Sequence, residues 1–253
     1  MQKGDFSNLA SDYIKYRPSY NKEVVNKIVN KINKKSKNIC AADVGAGTGI
    51  FTKCLIEAGI KDVVAVEPNK DMRNVGIEYL GKKIQFFEGS GENTTLVSNK
   101  YDLVTMASSF HWPNTQDTLL EFNRILNGKG VFAALWNPRL TDRSDSENEV
   151  QNLLSTKYYV GSRVSSGLSG ITNQLHDILS KSKIFSSVTY FDAINVVKRS
   201  HEEYIGAWRS VNDVQAQLGK EKFLQFLSDV EEIINKRSYV EVHYLTRAWV
   251  AQK

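Results

Sequence analysis

The stretch that decides the fold is Asp43-Val44-Gly45-Ala46-Gly47-Thr48-Gly49, in which three glycines at alternate positions follow an apolar run. The run, residues 39–44, is short and apolar, which is typical of a buried strand in a parallel sheet. Glycine has no Cβ, so the turn can be tight or left-handed and a ligand can approach the main chain closely. A helix that begins near Gly49 adds free backbone N–H groups. The sequence therefore predicts a strand, a ligand-binding turn and a helix.

An acid stands at the end of the next predicted strand. Residues 62–67 contain an apolar run of four residues and close on Glu67, eighteen residues beyond Gly49. A carboxylate at this place can accept hydrogen bonds from both hydroxyls of a ribose. An acid that ends an apolar strand is costly unless something uses it, and an incidental salt bridge is the alternative use. We therefore expect a cofactor that contains a nucleoside.

The spacing of the glycines separates two classes of nucleoside cofactor. Dinucleotide-binding turns follow G-x-G-x-x-G/A, and here the last position falls on Ile50, whose branched side chain would obstruct close packing of the helix on the strand. The third glycine stands one residue earlier. The pattern resembles the first motif of the class I S-adenosylmethionine-dependent methyltransferases, which implies that Gly45, Gly47 and Gly49 bind S-adenosylmethionine. A glycine-rich turn that binds nothing stays open as the alternative.

Two further segments resemble motifs of the same family. Residues 67–72, Glu-Pro-Asn-Lys-Asp-Met, are similar to the second motif, which implies that Glu67 binds the ribose and that Met72 packs on the adenine. A gap-filling core methionine is the alternative. Residues 89–92, Gly-Ser-Gly-Glu, stand where relatives carry Gly-Asp-Ala-Glu. The resemblance places Ser90 and Gly91 at the adenine, although a hydroxyl accepts a hydrogen bond more weakly than a carboxylate does.

The resemblance continues along the chain. Residues 108–112, Ser-Ser-Phe-His-Trp, resemble a Phe-His-Trp signature of one branch of the family, and residues 127–130, Asn-Gly-Lys-Gly, stand where relatives carry Lys-Pro-Gly-Gly. Near the front, residues 13–20 resemble the Tyr…Arg-Pro segment that precedes the first helix in the methyltransferase-11-like group. That group includes enzymes similar to ubiquinone, menaquinone and trans-aconitate methyltransferases. The match covers residues 13–136 well and the end of the chain more loosely.

The same resemblance assigns roles to single residues. It places Ser108 in the cofactor site and Arg17 near the methionine carboxylate of the cofactor, with Tyr13 nearby in the substrate pocket. A surface arginine that fixes the turn at Pro18 is the alternative for Arg17, since arginine pairs with any carboxylate. Asp43 either orients the glycine turn or reaches the amino group of the cofactor.

Methyl transfer from a sulfonium needs an in-line approach and little covalent help, so positioning of the acceptor dominates. A hydroxyl or amine acceptor must also lose a proton, whereas a carboxylate acceptor need not. His111 is the candidate catalytic base, with a structural histidine in a turn as the alternative. Trp112 is expected to wall the substrate pocket or stack on the substrate, or else to fill the core under the loop.

Helix and strand patterns alternate from residue 21 to residue 136. The predicted strands are 39–44, 62–67, 84–88, 101–107 and 130–136, and the predicted helices are 24–32, 49–58, 69–80 and 115–127. Repeated βα units give a parallel sheet with helices on both faces and a ligand crevice at the carboxyl ends of the strands. The family resemblance completes the expected fold: an α/β, Rossmann-like, doubly wound sheet of seven strands, mostly parallel with an antiparallel edge, plus a helical cap.

We expect residues 1–253 to be a single methyltransferase domain. Its cofactor-binding core is 21–136, its helical cap is 137–187 and 198–238, and its closing strands are 188–197 and 239–251. The polar residues 137–180 predict short helices and flexible connections, including the glycine-bounded segment 161–170, while apolar residues at helical spacing predict a helix over 218–237. Substrate choice is expected to lie in the cap.

Composition excludes several classes of function. The net charge is +5, but the densest lysines, within residues 22–37, stand opposite an apolar helix face, so a nucleic-acid substrate is not favoured and a small acidic one is compatible. Cys40 and Cys54 are expected as small buried residues, and no His or Cys pair has metal-ligand spacing. No run reaches the roughly eighteen apolar residues of a membrane span. These features predict a cytoplasmic protein without a metal.

The function that we predict is S-adenosylmethionine-dependent methyl transfer to a small-molecule acceptor by in-line displacement. One alternative is a nicotinamide-dependent oxidoreductase, against which Ile50 argues. Another is a catalytically inactive S-adenosylmethionine-binding sensor or scaffold, which the departures at Ser90 and Asn127 keep open. Oxygen, nitrogen and carbon acceptors all occur on this fold, and the sequence names neither the acceptor atom nor the oligomeric state.

Overall fold

A single mixed β-sheet organises the chain, and the computed structural model describes residues 9–81, 83–161 and 167–253. Its strands are β1 (Cys40–Val44), β2 (Asp62–Val66), β3 (Gln85–Phe87), β4 (Tyr101–Ala107), β5 (Leu126–Trp136), β6 (Ser187–Arg199) and β7 (Val240–Gln252). Within the described residues these strands form a seven-stranded sheet in the order β3-β2-β1-β4-β5-β7-β6. All neighbours are parallel except β7, which runs antiparallel to β5 and β6. The predicted sheet is confirmed.

The strand order reverses at β1, which lies between β2 on one side and β4 on the other. Val44 pairs with Val66, and Asp43 pairs with Thr105. The carboxyl ends of three strands therefore meet around the glycine turn. Open α/β sheets bind their ligands at such a switch point, so the fold positions the site at this edge.

Helices cover both faces of the sheet. They are α1 (Ala10–Tyr16), α2 (Lys22–Asn30), α3 (Ile50–Glu57), α4 (Lys70–Leu80), α5 (Thr115–Ile125), α6 (Asp145–Thr156), α7 (Leu175–Lys181), α8 (His201–Arg209) and α9 (Asn212–Ile234). Ile28 of α2 and Leu55 of α3 are buried against one face, and Phe122 of α5 and Leu179 of α7 against the other. Each such side chain contributes roughly 1.5–3 kcal/mol through its burial. The doubly wound arrangement is confirmed.

The helices α6, α8 and α9 form a third apolar cluster with the start of β7. Trp208, Phe226 and Tyr244 are among its buried side chains. The rings of Trp208 and Phe226 meet edge to face, with centroids 5.2 Å apart. These helices lie in the segments that are predicted to form the cap, and residues of all three line a cavity together with Ser108 at the end of β4.

Parts of the cap differ from the prediction. Residues 145–156 form a regular helix, α6, where the polar pattern predicts short helices and flexible connections. Asp145 and Glu147 lie in its first turn, and acidic side chains stabilise the positive end of a helix dipole. The helix predicted over 218–237 extends over Asn212–Ile234 and is interrupted at Gly219, whose φ is 71°. Of the predicted connection 161–170, residues 162–166 lie outside the described residues.

The strand β5 begins earlier than predicted. It starts at Leu126 and takes in residues 127–130, which the sequence pattern places before the strand. The side chain of Asn127 donates a hydrogen bond to the carboxylate of Asp102, and the register between β4 and β5 shifts between Tyr101 and Leu103. The register shift accommodates residues 127–130, so the backbone stays extended through them.

Three smaller features concern the first helix, the two cysteines and the apolar length of the helices. Residues 10–16 form α1, although the resemblance places Tyr13 in a segment before the first helix. Cys54 is buried as expected, but Cys40 is only partly buried, and both thiols are free. In the described part of the chain, no helix is long and apolar enough to cross a membrane.

Candidate functional site

The glycine turn has the left-handed backbone that its composition predicts. Gly45 and Gly47 have φ values of 64° and 57°, a region that other residues rarely adopt. The N–H of Ala46 donates to the carbonyl of Val66 at 3.0 Å, which ties the turn to the end of β2. Residues 45–47 remain partly exposed. The turn therefore presents main chain, rather than side chains, at the switch point.

Gly49 serves packing more directly than ligand contact. It has a φ of 83° and caps the amino-terminal end of α3. A Cβ added there would stand 2.6 Å from Cδ1 of Leu80, at the end of α4. The third glycine of the motif therefore lets α4 approach α3 closely. Its predicted contact with the cofactor remains a prediction.

Glu67 is buried beside the glycine turn, with 7% of its surface exposed. Its Oε2 accepts the Gly47 N–H at 2.8 Å, and its Oε1 accepts the Asn69 N–H at 2.9 Å. Burial raises the pKa of this carboxyl, while the two backbone N–H groups and the charge of Arg73 act against the rise. Each carboxylate oxygen has a further lone pair, so the group can still accept from two ribose hydroxyls. The residues present therefore fit a ribose at this place.

Met72 closes the turn from the side of α4. Its side chain is buried, and its Cε lies 3.3 Å from the position that a Cβ on Gly47 would take. The side chain of Asn69 accepts the Met72 N–H at 3.0 Å and so caps the helix. A flexible thioether at this place can pack against a flat ring. The geometry is compatible with the predicted adenine contact.

The loop after β3 is fixed by backbone hydrogen bonds and close packing. Ser90 donates its N–H to the Asn93 carbonyl at 2.9 Å. A Cβ on Gly91 would stand 2.9 Å from Oγ1 of Thr118, so this glycine allows the loop to lie against α5. The side chain of Glu92 accepts the Asn114 N–H at 2.7 Å. The loop that is predicted to hold the adenine is therefore braced against α5.

Asp43 is fully buried under the turn. Its two oxygens accept hydrogen bonds of 2.7 Å from the hydroxyls of Thr52 on α3 and Thr105 on β4. Burial raises its pKa to about 6, although the two threonine hydroxyls act against this. Both oxygens are engaged and none of the side chain is exposed. Of the two roles left open by the sequence, this geometry favours that of orienting the turn.

The end of β4 connects the glycine turn to the space under the cap. Ser108 has a φ of 55°, donates its N–H to the Leu135 carbonyl, and shares a 2.9 Å hydroxyl contact with Tyr20. Its neighbour Ser109 donates its hydroxyl to the Val44 carbonyl, and its Cβ and Oγ lie 2.7 Å from where a Cβ on Gly45 would be. Sequence reasoning missed Tyr20 as a site residue, because nothing in its local pattern indicates this contact.

A cavity of about 480 Å³ lies between the sheet end and the cap. The predicted site residues Tyr13, Arg17, Ser108 and Trp112 line it, together with Arg139 and Glu147, which sequence reasoning missed. A smaller cavity of about 50 Å³ shares Tyr13, Arg17 and Ser108 with it and continues to Ile50 of α3. Neither cavity is lined by Glu67 or Met72. The predicted residues thus fall into two groups, one at the glycine turn and one in the cavity, which meet at the end of β4.

Arg17 connects α1 with the cap. Its Nε donates to the Ser210 hydroxyl at 2.9 Å, its Nη2 donates to the Ser210 carbonyl at 3.1 Å, and its guanidinium carbon lies 5.0 Å from the centroid of the Tyr13 ring. Ser210 stands between α8 and α9. Arg17 therefore lines both cavities, and the hydrogen bonds described here join it to Ser210 rather than to the turn at Pro18. Its predicted place near the methionine carboxylate of the cofactor stays a prediction.

His111 and Trp112 occupy different environments. Trp112 is 38% exposed and lines the cavity, which favours its predicted role as a wall over a place in the core. His111 does not line either cavity, and its Nδ1 accepts the Trp136 indole N–H at 3.3 Å. Its ring centroid lies 4.5 Å from that of Trp112. The structure therefore places His111 behind the wall of the cavity.

Comparison with known proteins agrees with this architecture. Residues 42–134 match the family model of a methyltransferase domain. A protein described as a type II methyltransferase from Anaeromyxobacter dehalogenans shares the fold over 94% of this chain and 98% of its own, with a TM-score of 0.67 and 14% identity. A methyltransferase described from an antibiotic biosynthesis pathway of Anabaena variabilis shares it over 92% and 98%, with a TM-score of 0.60 and 19% identity. Residues 42–134 therefore match a methyltransferase domain in sequence, and the described chain has the fold of these methyltransferase structures.

Sequence relatives carry the same description. An uncharacterized methyltransferase of Mycobacterium tuberculosis is 31% identical over 134 residues, which are 53% of this chain and 52% of that protein. An uncharacterized methyltransferase-like protein of Schizosaccharomyces pombe is 30% identical over 137 residues, with the same coverage. The chain spans about half the length of the curated relatives that it matches.

Proposed function

We propose that this protein transfers the methyl group of S-adenosylmethionine to a small-molecule acceptor held in the cavity under the cap. The observation that carries the proposal is the buried Glu67 carboxylate, which accepts the N–H of Gly47 in the glycine turn, and a separate cavity begins at the end of β4. The cavity volume of about 480 Å³ is in the range of sites for small molecules. Residues 21–136 bind the cofactor in this proposal, and the cap segments select the acceptor.

The proposed cofactor residues follow from their places at the strand ends. Glu67 binds the ribose, Met72 and the loop of Ser90 and Gly91 hold the adenine, and Gly45 and Gly47 let the chain of the cofactor lie close to the backbone. Asp43 keeps the turn in shape through Thr52 and Thr105. The sulfonium supplies an already activated methyl group, so these residues act by orienting it.

A second group of residues faces the acceptor. Trp112 supplies an apolar wall, and Tyr13 and Arg17 lie where the cavity approaches the glycine turn. In our proposal Arg17 binds the methionine carboxylate of the cofactor. The cavity wall combines aromatic rings, the guanidinium groups of Arg17 and Arg139 and the carboxylates of Glu147 and Asp213. The guanidinium groups can bind an acidic group of a flat or unsaturated acceptor.

His111 is proposed as a base only for acceptors that must lose a proton. Its Nδ1 accepts from Trp136, so Nε2 carries the proton in that neutral tautomer. In that tautomer the basic lone pair is on Nδ1, so the ring can accept a proton there only by giving up the hydrogen bond from Trp136. Methyl transfer to a carboxylate needs no base. In that case the role of His111 is structural, because it accepts the hydrogen bond from the Trp136 indole.

Calorimetry with S-adenosylmethionine and with its demethylated product tests the cofactor site. Replacing Glu67 by alanine removes two charge-assisted hydrogen bonds to ribose, a loss of about 3 kcal/mol, or roughly a 100-fold weaker Kd. Glu78→Ala is the matched control, because Glu78 is an exposed carboxylate on α4. Wild-type protein that binds neither compound would refute the proposal.

Transfer is tested separately from binding. Purified protein is incubated with cofactor labelled in its methyl group and an extract of the source cells, and the labelled product is traced. Label that enters a small molecule supports the proposal. Binding of the cofactor without transfer to any acceptor would favour the sensor or scaffold instead.

A further inference from the structure

Arg139 lies on the wall of the larger cavity, at a fixed point of the backbone. It stands three residues after the end of β5 and pairs with Tyr244 of β7. Two backbone hydrogen bonds of 2.8 Å, one on each side of Arg139, join this segment to β7. The residue is therefore held by the sheet, as a binding residue with defined geometry must be.

Aromatic rings fix the plane of the Arg139 side chain. The guanidinium carbon lies 4.6 Å from the centroid of Trp208 and 5.3 Å from that of Tyr204, both on α8. The side chain is 16% exposed. Stacking on aromatic faces suits the flat, weakly hydrated guanidinium and leaves its N–H groups directed along its edges. Little rotamer entropy then remains to be lost when a ligand binds.

Several polar atoms around Arg139 are buried without a hydrogen bond. Within the described ranges, Nη1 of Arg139, Oε1 of Glu147 and the hydroxyls of Tyr204 and Tyr244 lack a partner with full hydrogen-bond geometry, although Tyr244 lies close to Arg139 and Tyr204 lies close to Glu147. Arg139 Nη1 and Glu147 Oε1 are 3.5 Å apart, a contact between opposite charges that lacks hydrogen-bond geometry. Buried polar groups are nearly always satisfied, so a group of them at the edge of a cavity points to a ligand.

Which charged side chain a ligand contacts depends on how much of each side chain is exposed. Arg139 and Glu147 both line the cavity, but the Glu147 side chain is 1% exposed against 16% for Arg139. A molecule in the cavity therefore reaches the guanidinium first. The paired N–H groups of arginine match the two oxygens of a carboxylate, and the Tyr244 hydroxyl is a further donor on the cavity wall.

We propose, on the basis of the function proposed above, that Arg139 binds a carboxylate of the methyl acceptor and so determines which small molecules the cavity accepts. Glu147 is a positioning residue, because its carboxylate oxygen lies 3.5 Å from Nη1 of the guanidinium and attracts it. Trp112 and Trp136 bound the space that is left for the body of the acceptor. The acceptor class is a small organic acid with an apolar or unsaturated body.

Calorimetry on the protein saturated with S-adenosylhomocysteine tests this inference. The probes are aliphatic and aromatic mono-, di- and tricarboxylic acids, each with its amide and a matched amine. The variants are Arg139→Met and Arg139→Lys, which keeps the charge but loses the paired donors. Arg143→Met is the matched control, since Arg143 is an exposed arginine four residues further on. The double variant Arg139→Met with Glu147→Met avoids leaving a buried charge uncompensated.

We expect wild type and Arg143→Met to bind at least one carboxylic acid and not its amide. Arg139→Met and the double variant should bind that acid at least tenfold more weakly, and Arg139→Lys should fall between. Binding of S-adenosylhomocysteine should stay the same in all of them, which shows that they are folded. Equal acid binding by Arg139→Met, or a wild type that binds amines or no acid at all, overturns the inference. Failure of wild type to bind S-adenosylhomocysteine would instead refute the proposed function.

Discussion

Replacing Asp43 by asparagine removes a fully buried carboxyl while keeping its shape. The pKa of Asp43 rises from its ordinary 3.8 to about 6, mainly because of burial. Between about pH 4 and pH 6 the native state therefore holds a proton that the unfolded chain has lost. The free energy of unfolding must fall as the pH rises through this window, which is the opposite of the behaviour of a carboxylate in a salt bridge.

The structure also gives the size of this effect. A rise in pKa from 3.8 to about 6 corresponds to about 3 kcal/mol, because one pKa unit is worth about 1.4 kcal/mol. Wild type bears only a small part of this cost at pH 4, just above the ordinary pKa of 3.8, and nearly all of it at pH 7. The Asp43→Asn variant should therefore gain about 2–2.5 kcal/mol in unfolding free energy relative to wild type between these two pH values.

Urea unfolding of both proteins, in the same buffers from about pH 4 to pH 7, measures this difference directly. All other titrating groups change alike in the two proteins and cancel, provided that unfolding is two-state. The charge of Glu67 contributes to the raised pKa, so the effect should shrink when both proteins also carry Glu67→Gln. A stability difference that does not vary with pH would refute the reasoning. Cofactor affinity of Asp43→Asn should stay close to that of wild type, because the carboxyl is not exposed to a ligand.

Three further substitutions test the two halves of the site. Gly47→Ala forces a Cβ into a left-handed turn and against Met72, which costs about 1–2 kcal/mol, and calorimetry should show weaker cofactor binding; unchanged affinity contradicts this. Trp112→Ala should raise the KM for the acceptor without lowering the melting temperature, since the side chain is 38% exposed, and a large fall in melting temperature would place it in the core. Arg17→Met removes two hydrogen bonds to Ser210 and should cost about 2 kcal/mol of unfolding free energy. The same variant should bind the cofactor more weakly, and an unchanged Kd would remove Arg17 from the cofactor site.

The central sheet and the cofactor edge could be predicted because their signals are local. A parallel strand that is buried on both faces is expected to be apolar along its length, as residues 63–66 are. A turn that needs left-handed backbone shows itself through glycine, and Glu67 is conspicuous because a carboxylate at the end of such a strand needs partners. The structure shows two such partners, the N–H groups of Gly47 and Asn69. The contact of Glu67 with a ribose stays a prediction.

The part of the cavity wall that Arg139 and Glu147 form could not be predicted, because it depends on contacts between distant segments. Arg139 and Glu147 stand in a polar stretch that resembles a solvated connection, and only the packing of α6 and α8 against β7 buries them. Tyr204 and Trp208, the aromatic neighbours of Arg139, are more than sixty residues away from it in the sequence. The pattern of charges along the sequence does not indicate that these distant residues come into contact. The start of β5 was missed for a related reason, since its irregular register depends on Asp102 of the neighbouring strand.

The end of β4 is where the two proposed sites must act together. Transfer requires the methyl carbon and the acceptor atom to come within about 3–3.5 Å in line. Ser108 lines the cavity, and Ser109, the next residue, fills the space beside Gly45 so closely that a Cβ there would meet it at 2.7 Å. Any change that moves Ser109 therefore also moves the wall of the acceptor cavity. Because Gly45 has no Cβ, Ser109 can pack beside it and the cofactor can approach the backbone. We therefore expect Gly45 to affect the alignment of donor and acceptor as well as cofactor binding.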